Sequence, residues 1–479
     1  MPEILFPQTS TPGDHRQHGR GRLLNMYHQP IITDERPGQQ NKAVWRRVAG
    51  TTLWGTTGAA MPAPYRNMLY ATGRVHVAHG NTVRNFGAGG SGMATATGTL
   101  PGSPTKVIWS RNNKVPTADI IAVVPGEGAF QVTSAAVTSY APAALPIPNS
   151  VCFLSGFFIF SIGDGRMFST DVNALTINAA NYASAETRPD TLLRVIPAGN
   201  GQLLACGDNS IEVWGPPINN VAFPFSYVSA MPHGLLGRNA ITGYEDGWTK
   251  GVFFASGDHG VYAMNNFQPM KISPPDLDRL IKQVAVKDDI ELSCFTMSGH
   301  GIVVVQTKNW SWHFDTETLK WHERQSHLQN YWRHLQPHYA FNAWLCGDRE
   351  TTNLYVVDSD VETEAGAYIT AQMIGLVDTF PAFGVRIARI DIDVTHGVGI
   401  TTGASIIQTD PAMHIAYSVN GGVDWSDPVV KRFGQMGQPV GRATVRNCGI
   451  VRGKQFKVKV SVSDPVYFGI MGGNVEAAA

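Results

Sequence analysis

The chain is short of charge. Only 15% of its 479 residues are Asp, Glu, Lys or Arg, and acids and bases number 37 each. A balanced, lightly charged chain is not built to be coated in nucleic acid, although local basic patches stay open. Cysteine is scarce too. Cys152, Cys206, Cys294, Cys346 and Cys448 are odd in number, far apart and never in C-x-x-C, which argues against a disulfide framework or structural zinc and for buried thiols in a reducing compartment. The longest apolar run, VCFLSGFFIFSI, has 12 residues and is interrupted by Ser155 and Gly156. A membrane helix needs roughly 20, so two adjoining strands explain the run better. The opening MPEILFPQTSTPGDHRQHGR has no apolar stretch of the kind a secretory signal carries. No G-x-S-x-G, H-E-x-x-H or Walker loop occurs, and GAGGSG at 87–92 lacks the strand and helix that would aim amides at a phosphate. No cofactor or metal is expected.

Glycine is abundant instead: 50 Gly and 29 Pro are spread among residues that are 43% apolar, the signature of many short strands joined by tight turns. Four times an apolar run meets Gly-Asp and then a second apolar run, at Gly163, Gly207, Gly257 and Gly347. A less regular copy surrounds Lys308, and weaker ones Gly80 and Gly126. Read as hairpins with turn residues that tolerate positive φ, these turns are spaced by 37 to 51 residues. Four-stranded propeller blades repeat about every 40–50 residues. The expectation is an all-β protein with a β-propeller of about five to seven blades over residues 61–362, an extended N-terminal arm over 1–60, and a C-terminal β-sandwich-like domain over 363–479. One helix is expected in PPDLDRLIKQVA, with Leu277, Leu280, Ile281 and Val284 on one face.

Three groups of residues raise the question of chemistry. In YSVNGGVDWSDP, Ser418, Asn420, Gly422 and Trp425 have the spacing of the Asp-box hairpin of sialidases and related propeller glycosidases. Such enzymes need an arginine cluster and paired catalytic residues, and their boxes recur on the blades. Here the box occurs once, outside the periodic region, and a type I′ turn at Asn420-Gly421 with Trp425 packed over it accounts for the segment without catalysis. His322, His327, His334 and His338 follow no metal-ligand spacing and lie among Trp321, Tyr331, Trp332 and Tyr339, an aromatic group suited to a subunit interface. Between Asp427 and Asp464 there is no acid but eight Lys or Arg residues. Within this stretch Arg452, Lys454, Lys457 and Lys459 read either as a solvated sheet face or as a face for a DNA channel or acidic partner.

Four segments carry a family resemblance. RLLNMYHQP at 22–30 resembles the N-terminal N-M-Y segment of the packaged-DNA stabilisation proteins, or tail hub and nozzle proteins, of short-tailed bacteriophages. WHERQSHLQNYWRHLQPHYAFNAWLCGDRETTNLYVVDSDVETEAG at 321–366 is similar to that family's W-x-E-R-x-S…W-R…G-D…L-Y-x-x-D…E-x-G run, and RIDIDVTHGVG with 417–466 to its C-terminal domain. The resemblance implies a non-enzymatic virion protein, made in the host cytoplasm. It implies a homo-hexameric ring that docks below the portal and adaptor, closes the exit channel of the packaged double-stranded DNA, and connects to a tail needle, spike or fibre. The competing readings are a propeller carbohydrate-binding or glycosidase-like tail protein and a propeller scaffold for protein partners.

Overall fold

The computed structural model describes residues 2–15, 17–31, 42–58, 64–102, 104–218, 222–377, 384–400, 405–438, 443–452 and 456–478. Seven four-stranded antiparallel sheets follow one another around a ring: blade 1 at residues 65–95, blade 2 at 108–140, blade 3 at 148–184, blade 4 at 192–231, blade 5 at 241–271, blade 6 at 291–323, and blade 7 at 334–358 completed by Gly50–Gly55. The protein is an all-β propeller with the upper of the expected blade counts. Each of the seven hairpin turns read in the sequence joins the second and third strands of a blade.

Those strands were legible because they are buried on both faces. In Ile120–Val124 every residue is buried. Ile120, Ala122 and Val124 pack toward blade 1, while Ile121 and Val123 pack toward blade 3. Alternation therefore disappears into a continuous apolar run, as in other sheets covered on both sides. Blade 4 repeats the device, with Leu203 and Ala205 facing blade 3 and Leu204 and Cys206 facing blade 5. A fully buried aliphatic side chain contributes about 1.5–3 kcal/mol, and every seam between neighbouring blades holds several.

The Gly-Asp turns work differently from the expected primed turns. Gly163, Gly207, Gly257 and Gly347 do not have positive φ. In three of the four the aspartate closes the turn: Asp164 accepts from Arg166 N at 3.1 Å, Asp258 from Gly260 N at 3.0 Å, and Asp348 from Glu350 N at 3.3 Å, as short polar side chains do in turns, and the left-handed residue follows the pair at Gly165 and His259. The glycine serves close approach in blade 7, where a Cβ on Gly347 would lie 2.4 Å from the Tyr65 ring of blade 1.

The N-terminal segment runs extended through the whole fold. Arg22–Leu24 pairs in parallel with the outer strand of blade 6 (Leu24 with Glu323) and antiparallel with Ala371–Val377, fusing that blade to a sheet of the C-terminal domain. Met26–Ile31 and Lys42–Arg47 form a hairpin that joins the domain's second sheet through Gly469–Ala478. Gly50–Gly55 then pairs with Leu354–Asp358 and closes the propeller. The two C-terminal sheets face each other across one core, with Met373, Ile415 and Val458 from one and Ile390, Ile392 and Val475 from the other. The expected helix is Pro275–Gln283, which starts at Pro275, buries Leu277 and Ile281, and links blades 5 and 6.

Candidate functional site

Residues of the 22–30 and 321–366 segments meet at one buried junction, where blades 6 and 7, the N-terminal strands and the hairpin at 363–368 come together. Arg22 grips Glu323 with two hydrogen bonds, Nε to Oε1 at 2.9 Å and Nη2 to Oε2 at 2.6 Å, and Ser10 Oγ donates to the same carboxylate at 2.8 Å. Asn25 Nδ2 donates to the carbonyls of Gln325 and Thr370, both at 2.9 Å. Arg324 pairs with Glu364 at 2.5 Å with both side chains almost wholly buried. Arg324 also donates to Ala49 O at 3.1 Å, and Trp332 Nε1 donates to Glu364 Oε1 at 2.8 Å. Burial works against the Glu364 carboxylate, but Arg324, His334, Ser326 and Trp332 outweigh it and hold its pKa below the usual range. Arg333 forks onto Asp348 at 2.8 and 2.5 Å, and Thr51 Oγ1 shares a hydrogen bond with His334 Nε2 at 2.9 Å.

This junction corrects the reading of the aromatic group. Trp321 and Trp332 are 2% and 1% exposed, with their indole N–H groups spent on Ile272 O and Glu364, so neither can line a subunit interface. Tyr339 is half-buried against Trp344, with ring centroids 5.4 Å apart. Tyr331 is half-buried and donates from its hydroxyl to Glu350 at 2.7 Å. Of the histidines, His322 and His334 are buried, with His322 packed edge-on to His313, 5.3 Å away, His338 is half-buried, and His327 is exposed. Burial pushes the pKa of His322 down to about 3, which keeps the imidazole neutral in the core.

The seven innermost strands surround a central hole reduced to a cavity of about 300 Å³. Two ion pairs cross it between blades that are not neighbours. Lys106, which leads into blade 2, reaches Glu291 at the start of blade 6 at 3.3 Å, with both side chains nearly buried. Arg111 of blade 2 reaches Asp246, beyond the innermost strand of blade 5, at 3.0 Å in a more exposed position. Burial lowers the Lys106 pKa, and Glu291 opposes that shift. No local pattern marks these residues, because each pair joins ordinary charges from two blades far apart in sequence. The thiols of Cys152, Cys206, Cys294 and Cys346 are buried, and burial raises their pKa values, the reverse of what an active nucleophile needs.

The basic stretch does not form one open face. Arg452 is exposed. Lys457 is 6% exposed and donates to Gly19 O at 2.7 Å, because the N-terminal segment covers its side of the sheet. Lys459 lies over the Trp425 ring, 4.5 Å from its centroid. Lys454 lies outside the described residues. The segment around Asn420 is a ten-residue loop between Ala412–Ser418 and Val429–Arg432, not a two-residue type I′ turn. Ser418 Oγ accepts from Gly422 N at 2.8 Å and Asn420 Oδ1 from Asp424 N at 3.0 Å. The positive φ values fall on Gly421 and Gly422 rather than on Asn420. The loop is tied by its own side chains and lies on the C-terminal sheet.

Among the described residues, no group of three or more His, Cys, Asp or Glu side chains is placed to hold a metal ion, and no helix is long and apolar enough to cross a membrane. Solved structures with similar architecture include the WD40 repeats of RRP9, with 8% identity and a TM-score of 0.41 over 65% of this chain and 99% of that one. They also include the WD40 β-propeller domain of Doa1, with 9% identity and a TM-score of 0.41 over 64% and 96%. The computationally designed Ika8 protein has 11% identity and a TM-score of 0.38 over 74% and 98%. No curated protein matches the sequence. One protein family, described as "Bacteriophage P22 Gp10, beta-propeller", matches residues 35–362.

Proposed function

The chain belongs to the phage stabilisation family of bacteriophage P22 Gp10, a structural phage family, and from that membership we propose that it forms the tail hub or nozzle of a short-tailed phage. In this reading, copies assemble as a ring, six in number, below the portal and adaptor. The ring closes the exit channel behind the packaged DNA and presents its far end to a needle, spike or fibre. The family match over most of the propeller carries the proposal.

The form of the propeller supports it. A cavity of about 300 Å³ crossed by two ion pairs cannot pass a duplex whose major groove alone is about 12 Å wide. DNA retained by this protein would therefore lie on an axis between copies, as a ring provides. Head-to-tail contacts around such an axis are heterologous, and Tyr331 is the member of the aromatic group placed to take part. Exposed Arg452 is the member of the basic stretch available to DNA phosphates or an acidic partner. Imaging purified particles tests the proposal. The expected result is a ring of this chain at the DNA exit vertex, with leaking particles when the chain is absent. Particles that lack the ring, or that keep their DNA without it, would overturn it.

A further inference from the structure

The propeller cavity contains a buried cation that the protein does not itself neutralise. Arg194, on the innermost strand of blade 4, is 6% exposed and lines the cavity. Its Nη1 donates to Arg238 O at 3.3 Å and its Nη2 to the Tyr244 hydroxyl at 2.5 Å. Both acceptors are neutral, since burial pushes the Tyr244 pKa up to about 12. Arg194 Nε is buried without a protein partner, and among the described residues Arg194 makes no ion pair. The nearby carboxylates are committed elsewhere: Asp246 to Arg111, Glu291 to Lys106, and Glu245 to Thr242 Oγ1 at 2.8 Å and Gly243 N at 2.6 Å.

Three further groups around the same cavity are buried and have no protein partner: Ser293 Oγ of blade 6, Trp109 Nε1 of blade 2 and Gln336 Oε1 of blade 7. A lone unpaired polar atom would be a packing cost. A guanidinium, an indole N–H, a hydroxyl and an amide oxygen converging from four blades on one cavity is the layout of a small-molecule site, with a few polar groups set in a largely preformed hollow. The cost of keeping a cation out of water is offset when an anion joins it.

We propose that the propeller cavity binds a small oxyanion, a carboxylate or phosphate group. Arg194 is its charge partner, Trp109 and Ser293 are additional donors, and Gln336 is an acceptor for a hydroxyl on the same molecule. The ligand enters past the more exposed Arg111–Asp246 pair. The size of the cavity excludes a nucleic-acid strand, so this site is independent of any DNA contact made by assembled copies.

Calorimetric titration of the full chain with inorganic phosphate and, separately, with acetate tests the assignment. Saturable binding of either anion at one site per chain is expected, and the anion that binds identifies the class. Arg194→Gln should weaken binding about tenfold to a hundredfold, the loss of one or two charge-assisted hydrogen bonds. No saturable binding of either anion, or unchanged affinity in a folded Arg194→Gln chain, overturns the proposal. If that variant does not fold, crystals of the parent chain soaked in arsenate, or in bromoacetate where acetate was the anion that bound, decide. The soaked anion within hydrogen-bond reach of Arg194 Nε supports the site, and the soaked anion found only elsewhere, or not at all, refutes it.

Discussion

Arg324→Met isolates the role of the buried junction. Met replaces the guanidinium with an apolar chain of similar length, so little cavity is added. Glu364, whose side chain is 1% exposed, is left as an uncompensated charge, and Ala49 O loses a donor. Removing one member of a buried pair costs about 3–5 kcal/mol. Glu364→Gln should cost a similar amount by stranding Arg324, although the amide oxygen still accepts from Trp332 Nε1. The double variant Arg324→Met/Glu364→Gln carries no stranded charge. It should be more stable than the sum of the single losses predicts, with a coupling energy on the order of 2 kcal/mol. Urea unfolding followed by tryptophan fluorescence reads all four proteins, since Trp332 sits against the pair. The reasoning fails if Arg324→Met lies within about 0.5 kcal/mol of the parent, the spread of an ordinary surface change. It also fails if the two single losses simply add.

Other outcomes follow from the same structure. Lys106→Met should cost about 3–5 kcal/mol in urea unfolding by stranding Glu291, whereas Arg111→Ala, at the exposed crossing, should cost less than about 1 kcal/mol. Acid should destabilise the fold. Burial, with nearby Arg74 and Arg84, lowers the pKa values of His76 and His79 from 6.5 to about 4. The unfolded chain thus takes up protons first, and stability falls as pH drops from 6.5 toward 4, by up to about 3 kcal/mol per histidine; melting temperatures at pH 7, 5.5 and 4.5 check this. Trp332→Ala should cost about 3–5 kcal/mol of fold stability, so a ring-mass measurement on this variant would report misfolding, and circular dichroism distinguishes the two. Gly421→Val places a β-branched residue at φ 76°, with its Cβ 3.0 Å from Gln17 Cγ. A loss of about 1–3 kcal/mol should appear as faster proteolysis within residues 384–478 while the propeller stays resistant.

The second and third strands of the blades were legible because both of their faces are buried, so IIAVV and VFFA stand out as apolar runs. The innermost strands were not, because they must present polar residues to the hole: Arg194 and Glu291 interrupt the pattern, and blade 5 contributes only Ile241–Thr242. The N-terminal strands gave no local signal, since their partners lie hundreds of residues away, as with Leu24 and Glu323 or Gly50 and Asp358. The same distance hid the burial of Lys457, whose cover is Gly19. Trp332 looked like interface material because an indole suits both a core and a contact, and what decided between them was Glu364, an acid 32 residues further along. The Gly-Asp repeat located every turn it marked, although the left-handed positions, Gly165 and His259, follow the Gly-Asp pair instead of falling on its glycine.

Closure of the propeller by Gly50–Gly55 has a consequence for biosynthesis. This strand leaves the ribosome some 300 residues ahead of its partner Leu354–Asp358. At about 5–20 residues per second, a nascent chain spends roughly 15 to 60 seconds with Gly50–Gly55 unpaired and the ring open. The second C-terminal sheet waits longer still, because Gly469–Ala478 lies between its N-terminal hairpin and Val385–Val394. A chain that stops before Leu354–Asp358 completes neither unit, and one that stops between Asp358 and Gly469 closes the propeller but leaves the second C-terminal sheet unfinished. The topology thus makes each unit's completion wait on a strand made hundreds of residues after its partner.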